Sequence, residues 1–319
     1  MQIDDGQTHD EELDMDMDMD MEIARPECVA ATGDTCGEGA VWSAEEAAVY
    51  WTDINRFLIH RLDVADRSVR TWLFDEPVVA LALSTETGRW LVALGSRLIW
   101  WWPADDRRVD HGFRLAGAPH ARLNDGRPDH LGNFWVGSMR NNVLPDGEAG
   151  EAGGTEGRMH RIAPDGSVTE HITGIGISNT LCWSPDRRTF YTADTLANVV
   201  WAFDFDPVAG TLGARRDHLA GFARGLPDGS AIDAEGFLWN CRFSGHCIVR
   251  VAPDGRIDRV VEMPVHNITT ATFGGPDLKT LYVTSAAARR HPGERLAGSL
   301  WALRCSVPGL PENRVQIGA

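Results

Sequence analysis

The amino-acid sequence predicts an all-β fold, a six-bladed β-propeller, on the basis of three observations. Helical periodicity is nearly absent from the 319 residues, and short runs of aromatic and β-branched residues alternate with turn pairs such as Pro-Asp and Asp-Gly. The same strand–turn–strand unit then recurs along the chain. Six units of ~40 to 55 residues can be counted, which is the spacing of propeller blades rather than of sandwich strands.

Each unit consists of an apolar strand end, a polar turn and an aromatic-rich strand. Three copies share a longer turn: "VWSAEEAAVYWTD" (41–53), "CWSPDRRTFYTAD" (182–194) and "FGGPDLKTLYVTS" (273–285). Two copies have a shorter Asp-x-x-Gly turn, "DHLGNFWVGSM" (129–139) and "DAEGFLWNCRF" (233–243), and "LSTETGRWLVAL" (83–94) is a weaker copy. Four tryptophans within the units are predicted to pack between blades: Trp51, Trp135, Trp201 and Trp239.

The chain is acidic, with a net charge of −16, which argues against a nucleic-acid partner because phosphate binding needs a basic surface. Part of the charge lies at the start, where "MQIDDGQTHDEELDMDMDMDME" alternates acidic residues with methionine. Residues 1–22 are therefore predicted to be a disordered acidic tail, and residues 23–319 to form the propeller domain.

Neither a signal peptide nor a membrane-spanning segment is expected from the sequence. The start lacks a basic flank and an apolar run, and no later stretch is long and apolar enough to span a bilayer. The six cysteines show no CxxC pairing, so reduced thiols and a cytoplasmic location are predicted.

One structural level of the predicted propeller is unusually polar. The first strand of each blade lines the central channel, so residues just before it should crowd one mouth. Aligning the six units on their turns and stepping back five residues gives Glu38, Val79, Asn124, Asn179, Asp228 and Thr270. Unpaired polar groups in a packed interior cost several kcal/mol each, so a packed core would not choose this set.

Carboxylates and carboxamides in one ring are typical ligands of a divalent cation. The set suits Ca²⁺, Mg²⁺ or Mn²⁺, or an Fe²⁺ or Zn²⁺ ion that accepts oxygen ligands. The alternative is that Asn179 and Asp228 only cap turns, as Asx residues often do. The shared level of the polar residues favours one metal ion at the channel mouth.

The chain also resembles a known family in several motifs, which read "GEGAVW", "RLNDGRPDHLGNFWVGSM", "ISNTLCWSPD", "LPDGSAID" and "FGGPDLKTLYVTSA". Between about residues 36 and 303 it resembles the senescence marker protein/gluconolactonase/regucalcin-like family. The resemblance implies a six-bladed propeller with one divalent metal at the channel mouth and hydrolysis of sugar-acid lactones. The run "FYTADTLANVVWAFDFD" looks closest to bacterial pentonolactonases, such as those for xylono- or arabinonolactone.

The resemblance also assigns roles to individual residues. Glu38, Asn179 and Asp228 match the family's metal ligands, and Arg122 and Asn124 match residues that hold the substrate's hydroxyls and carbonyl. Asp228 is expected to be the general base and acid as well, because a carboxylate that touches metal and water can carry a proton. The alternative base is a metal-bound hydroxide.

Three features depart from the family pattern. Thr180 stands where the family usually has Gly, and a β-branched residue resists a positive φ angle, so the local turn is expected to differ. Asn142 stands where the animal lactonases have a substrate-binding glutamate. The Gly/Glu-rich insertion at 141–157 is either a disordered surface connection or a lid over the mouth.

The leading function is thus a metal-dependent lactonase acting on a small sugar lactone, of the xylono-, arabinono- or gluconolactone type. Two alternatives remain: an organophosphate or aryl-ester hydrolase on the same propeller, and a non-catalytic calcium-binding propeller. Arg122 with Asn124 favours the lactonase, because a polyhydroxylated substrate needs donors beside the metal.

His266, near the polar level, is either a hydrogen-bonded mouth residue or a sugar contact.

Overall fold

The computed structural model of the protein describes residues 25–316, so the expected acidic tail at 1–22 lies outside the described residues. In this part of the chain, twenty-four strands form six antiparallel sheets of four strands each. The first strands of neighbouring sheets pack against one another in a closed ring. The predicted six-bladed β-propeller is confirmed.

The strands are numbered in chain order and occupy four positions in each blade. The first, channel-lining strands are β2 (Gly37–Ser43), β6 (Val78–Leu83), β10 (Ala121–Pro128), β14 (Ser178–Trp183), β18 (Leu226–Ile232) and β22 (Ile268–Gly274). The second strands are β3 (Ala48–Asp53), β7 (Trp90–Leu94), β11 (Phe134–Arg140), β15 (Thr189–Asp194), β19 (Leu238–Phe243) and β23 (Thr280–Ser285). The third strands are β4 (Leu58–Asp63), β8 (Arg97–Trp102), β12 (Gly157–Ile162), β16 (Val199–Phe205), β20 (Cys247–Val251) and β24 (Leu300–Arg304). The outer strands are β5 (Val69–Leu73), β9 (Arg107–Arg114), β13 (Val168–Ile175), β17 (Leu212–Ala220), β21 (Ile257–Glu262) and β1 (Glu27–Ala30).

The sixth blade is built from both ends of the chain. Its order is β1–β24–β23–β22, so the N-terminal strand β1 pairs with the C-terminal strand β24. This pairing closes the ring by hydrogen bonds between distant parts of the sequence.

Aromatic side chains fill the spaces between blades. Trp51, Trp135 and Trp239 are buried, and the partly buried Trp201 packs against the cluster that contains Trp135 and Trp183. The prediction that these repeat tryptophans pack the blades is confirmed.

The shorter Asp-x-x-Gly turns explain why an aspartate is needed at their first position. Asp129 Oδ1 accepts hydrogen bonds from the backbone N–H groups of Leu131 and Asn133, while Oδ2 accepts the indole N–H of Trp135 at 2.8 Å. Asp233 repeats the pattern with Trp239. One carboxylate therefore closes the turn and fixes the tryptophan of the next strand.

Every first strand carries a register irregularity near its start. Pairing with the second strand shifts between Glu38 and Val41, between Asn179 and Cys182, and between Pro227 and Ser230, and the other three blades shift likewise. A β-bulge redirects side chains and interrupts strict alternation. These bulges lie at the level of the predicted polar ring.

The opposite end of the channel is crossed by the segment 305–316. Val315 bridges to Ser84, Gly309 bridges to Asp233, and Glu312 Oε1 accepts a hydrogen bond from Thr272 at 2.7 Å. These partners lie at or just beyond the C-terminal ends of first strands, so one mouth is covered by the chain itself.

Within residues 25–316 no helix is long and apolar enough to cross a membrane, and all six cysteines are free thiols.

Candidate active site

The five site residues predicted from the sequence line one cavity of about 180 Å³ at the open mouth of the channel: Glu38, Arg122, Asn124, Asn179 and Asp228. The sequence interpretation placed the polar ring just before the first strands, whereas the structure places it inside them, within their first four residues. The bulges account for the difference, because they let residues within a paired strand face the mouth.

Two buried carboxyl groups, Glu38 and Asp228, line the cavity, and a third, Asp125, is buried beside them. Burial, followed by the charge of Asp228, raises the pKa of Glu38 well above its usual range, and burial with the charge of Asp125 raises the pKa of Asp228. The carboxyl groups of Glu38 and Asp228 are close enough to share a hydrogen bond. Like charges at this separation cannot all be ionised in a dry site without a cation.

Asp125 is a site residue that sequence reasoning missed. Its pKa is raised by burial, and its carboxylate accepts backbone hydrogen bonds from Gly126 and Thr180. Strict strand alternation would point Asn124 and Asp125 to opposite faces. The register shift between Leu123 and Gly126 removes that alternation, so the signal was the pair of adjacent polar residues in "RLND".

The two carboxamides are fixed by hydrogen bonds. Asn124 Nδ2 donates to Ser178 O at 2.8 Å and to Asn179 Oδ1 at 3.1 Å. Asn179 Nδ2 donates to Thr195 Oγ1 at 2.8 Å. Because its amide N–H group is used by Thr195, Asn179 presents its oxygen toward the other polar groups of the cavity.

Arg122 is a buried cation that bridges two carboxamides. Its Nη1 donates to Asn124 Oδ1 at 2.6 Å, and its Nε and Nη2 donate to Asn142 Oδ1 at 3.0 and 2.8 Å. Burial lowers the pKa of Arg122 to about 10, opposed by the nearby Cys36, Glu38 and Asp228. The asparagine at 142 thus serves as a support for Arg122 in this protein.

Thr180 adopts the left-handed conformation that its β-branch disfavours, with φ 55°. The β-branch therefore does not prevent a positive φ at this position. Thr180 Oγ1 donates to Asp228 O at 2.5 Å and hydrogen-bonds Ser230 Oγ at 2.8 Å. These contacts hold the strained backbone in place and tie β14 to the strand that carries Asp228.

The insertion 141–157 has a defined path over the mouth. Val143 pairs with Ala149 in a tight hairpin, and Gly147 O accepts a hydrogen bond from Asn55 of the first blade at 2.7 Å. Ala149, Gly150 and other residues of the hairpin line the cavity. The expectation of a disordered surface connection is therefore wrong.

His266 does not line the cavity. It precedes β22 and faces two other histidines, with its ring centroid 4.8 Å from that of His246 and 3.8 Å from that of His291. The interpretation of His266 as a sugar contact is not supported by this position.

The donor set fits a divalent cation. Glu38 and Asp228 offer carboxylate oxygens, and Asn179 offers an amide oxygen. Among the described residues that line the cavity, these two buried carboxyl groups outnumber the one buried cation, Arg122, because Arg289 is exposed. Hard cations prefer such oxygen ligands. Burial first and mutual repulsion second raise the pKa values of Glu38 and Asp228, and a bound cation would oppose both effects.

A family comparison agrees with this geometry. Residues 36–287 match the family model described as the SMP-30/gluconolactonase/LRE-like region. The chain belongs to this family. The resemblance inferred from the motifs is thereby confirmed.

Individual members are similar over most of their length. A 6-deoxy-6-sulfogluconolactonase from Pseudomonas putida is 36% identical over 89% of this chain and 96% of its own. A pentonolactonase from Haloferax volcanii is 31% identical over 91% of this chain and 97% of its own. Among solved structures, a calcium-binding regucalcin from Agrobacterium tumefaciens superposes with a TM-score of 0.83 at 27% identity, covering 91% of this chain and 97% of that one.

Proposed function

We propose that the protein is a metal-dependent lactonase that hydrolyses a sugar-acid lactone to the aldonic acid. The observation that carries the proposal is the convergence of Glu38 and Asp228 with Asn179 and Arg122 in one small cavity. Asp125 is buried close enough for its charge to raise the pKa of both carboxyl groups. The two relatives named as lactonases, which match nearly the full chain, support the reaction class.

Glu38, Asn179 and Asp228 are the proposed ligands of a single divalent ion, which we take to be Ca²⁺, Mg²⁺, Mn²⁺, Zn²⁺ or Fe²⁺. When bound, such an ion polarises the lactone carbonyl and stabilises the negative charge that develops on its oxygen. The calcium-binding regucalcin among the structural neighbours supports the presence of a cation in this family.

Arg122 and Asn124 are proposed to bind the substrate. The guanidinium already spans Asn124 and Asn142, so its N–H groups form a fixed fork beside the ligands. A fork of this kind suits a polyhydroxylated ring, because several donors lie in one plane. Asn124 is held at its amide nitrogen by Ser178 and Asn179 and accepts Arg122 Nη1 at Oδ1, so the second lone pair of Oδ1 is the part proposed to accept a substrate hydroxyl.

Asp228 is proposed to carry the proton. As the oxygen of water forms a bond to the carbonyl carbon, Asp228 takes a proton from that water. It then returns the proton to the ring oxygen as the bond between that oxygen and the carbonyl carbon breaks, which leaves a free hydroxyl and the aldonic acid. Burial supports this role, because it raises the pKa of the Asp228 carboxyl group and brings it closer to the pKa values of the groups that exchange the proton.

The hairpin within 141–157 is proposed to act as a lid. It reaches from the third blade to Asn55 of the first blade and forms one wall of the cavity. Such a lid keeps bulk water from competing for the polar groups once substrate is bound.

The test is acid release from a panel of lactones, followed with a pH indicator before and after treatment with a chelator. Xylono-, arabinono- and gluconolactone should be hydrolysed, the chelator should abolish the reaction, and divalent metal should restore it. An aryl ester and an organophosphate complete the panel. Turnover of those two alone would replace the lactonase by the alternative hydrolase, and metal binding without any turnover would favour the non-catalytic propeller.

A further inference from the structure

Three loops at the open end of the propeller bring three histidines and a glutamate together outside the cavity. His246 lies in the β19–β20 turn, His266 in the β21–β22 connection, and His291 and Glu294 in the β23–β24 connection. The four residues come from two neighbouring blades, and no short sequence motif unites them.

The ligand atoms of this cluster are close. His246 Nε2 lies 2.9 Å from Glu294 Oε1, and one ligand atom from each of His246, His266 and Glu294 lies within 4.8 Å of the others. The rings of His266 and His291 have centroids 3.8 Å apart. The cluster is partly shielded, since Glu294 is 11% exposed and His246 is 42% exposed.

An ion pair between His246 and Glu294 does not explain the whole cluster. The Glu294 carboxylate is hydrogen-bonded to the His246 ring and accepts the backbone N–H of His291. The ring of His266 faces the rings of both His246 and His291, and its nitrogen lies within 4.8 Å of the Glu294 carboxylate. Three imidazoles converging on one carboxylate repel one another when protonated. The three imidazoles no longer repel one another when they are neutral and their ring nitrogens coordinate one shared cation.

We propose that His246, His266 and Glu294 bind a Zn²⁺ ion, with His291 placed to supply the fourth ligand. Imidazole nitrogens with a carboxylate are a typical zinc donor set, in contrast to the all-oxygen set of the cavity. Tetrahedral bonds of about 2.0 Å bring ligand atoms to roughly 3.3 Å from one another, so small side-chain rotations close the site.

The proposed zinc site joins the loop at 286–299 to the fifth blade. The same loop supplies Ala288 and Arg289 to the wall of the active-site cavity. Asn267, which follows His266, donates to Ala288 O at 2.7 Å. The ion therefore fixes one rim of the cavity, and its loss should raise KM more than it lowers kcat. The proposal does not depend on the lactonase assignment.

The experiment is a titration of chelator-treated full-length protein with Co²⁺ and Zn²⁺, followed by visible absorption and by metal analysis. Tetrahedral Co²⁺ with imidazole ligands absorbs strongly in the visible, whereas an oxygen-ligated octahedral ion absorbs weakly. Wild type should bind a second equivalent of metal and show the strong bands. His266→Ala should lose both, Glu294→Gln should weaken Co²⁺ binding by at least about tenfold, and His291→Ala should have the smallest effect.

Two control variants make the outcomes distinct. His171→Ala removes a half-buried histidine on β13 and should keep the strong Co²⁺ bands. Asp228→Asn should keep them too, because it changes only the oxygen-ligand site. Thermal unfolding of each metal-free variant checks that the fold is kept. If wild type and the His246→Ala/His266→Ala double variant bind the same amount of metal with the same spectrum, the cluster is only an ion pair and the zinc site is wrong.

Discussion

Asp228 and Asp233 lie five residues apart at the two ends of β18, yet their surroundings are opposite. Asp233 accepts hydrogen bonds from Trp239 Nε1 at 2.9 Å and from Arg250 Nη2 at 2.7 Å, and its other oxygen accepts two backbone N–H groups. Asp228 has the backbone N–H of Gly229 and otherwise faces Glu38 and Asp125. The fold satisfies the hydrogen-bonding capacity of Asp233, whereas Asp228, the proposed ligand and proton carrier, has fewer donors.

β10 repeats the comparison. Toward its open end, burial raises the pKa of Asp125, and the charge of Arg127 and the backbone N–H groups of Gly126 and Thr180 offset only part of that rise. Just beyond its other end Asp129 is satisfied by backbone N–H groups, Asn133 and Trp135. The count of donors around a buried carboxylate, rather than its burial, therefore separates the residues that build the blades from those that form the site.

The largest expected effect is that of Asp228→Asn on turnover. Asparagine keeps the shape but cannot accept the proton, so we expect kcat to fall by roughly 10²- to 10⁴-fold even at saturating metal. The unfolding temperature of the metal-free protein should not fall, because the substitution removes one of three repelling carboxyl groups. Steady-state kinetics over a range of metal concentrations and thermal unfolding measure the two quantities.

Glu38→Gln is the matched control for this variant. Glu38 shares the proposed ligand role but not the proposed proton role, so added metal should restore more of the activity of Glu38→Gln than of Asp228→Asn. Equal restoration in both variants would move the base role away from Asp228. Full activity of Asp228→Asn would refute the mechanism.

A substitution at Asp233, at the other end of β18, should lower the stability of the protein and leave its turnover unchanged. In Asp233→Asn the new amide N–H group faces the donors of Trp239 and Arg250, and a buried guanidinium loses the fully buried one of its three carboxylate partners. We expect a loss of about 3–5 kcal/mol in the free energy of unfolding, while the folded fraction keeps its kcat. Denaturant unfolding measures this loss. Asp129→Asn, which has no arginine partner, should lose less, about 1–3 kcal/mol.

The sequence predicts the part of this contrast that depends on local patterns. Strand–turn–strand units indicate six blades, and their shared spacing brings Glu38, Asn124, Asn179 and Asp228 to one level. Asp125 was missed because alternation is a rule for regular strands, and the bulge that breaks it depends on the pairing of β10 with β11.

Features made by distant segments could not be read from the sequence. The closure of the sixth blade by β1, the crossing of the far mouth by 305–316, and the histidine cluster each need a contact between segments with no common motif. His266 was noticed for its place near the polar level, but its partners come from two other loops. Long-range contacts of this kind appear only once the ring of blades is built.

A smaller effect is expected for Arg122→Ala. The variant removes charge-assisted hydrogen bonds to Asn124 and Asn142 without touching a proposed ligand. We expect kcat/KM to fall by about 10- to 100-fold, mainly through KM, with metal content unchanged. Arg122→Lys keeps the charge but not the planar fork and should recover only part of the loss. Loss of metal in Arg122→Ala would show that the guanidinium supports the cation site instead.

The smallest expected effect is that of Asn55→Ala, which tests the open mouth at its edge. Asn55 Nδ2 donates a hydrogen bond to Gly147 O at 2.7 Å, and this bond connects the first blade to the hairpin of 141–157. Removing it should cost about 1 kcal/mol of hairpin closure, so KM should rise by roughly fivefold while kcat and the unfolding temperature change little. Hydrogen exchange of the hairpin amides should quicken in parallel, whereas the amides around Asp233 at the covered end should not change. An unchanged KM with faster exchange would mean that the hairpin covers the mouth without holding the substrate.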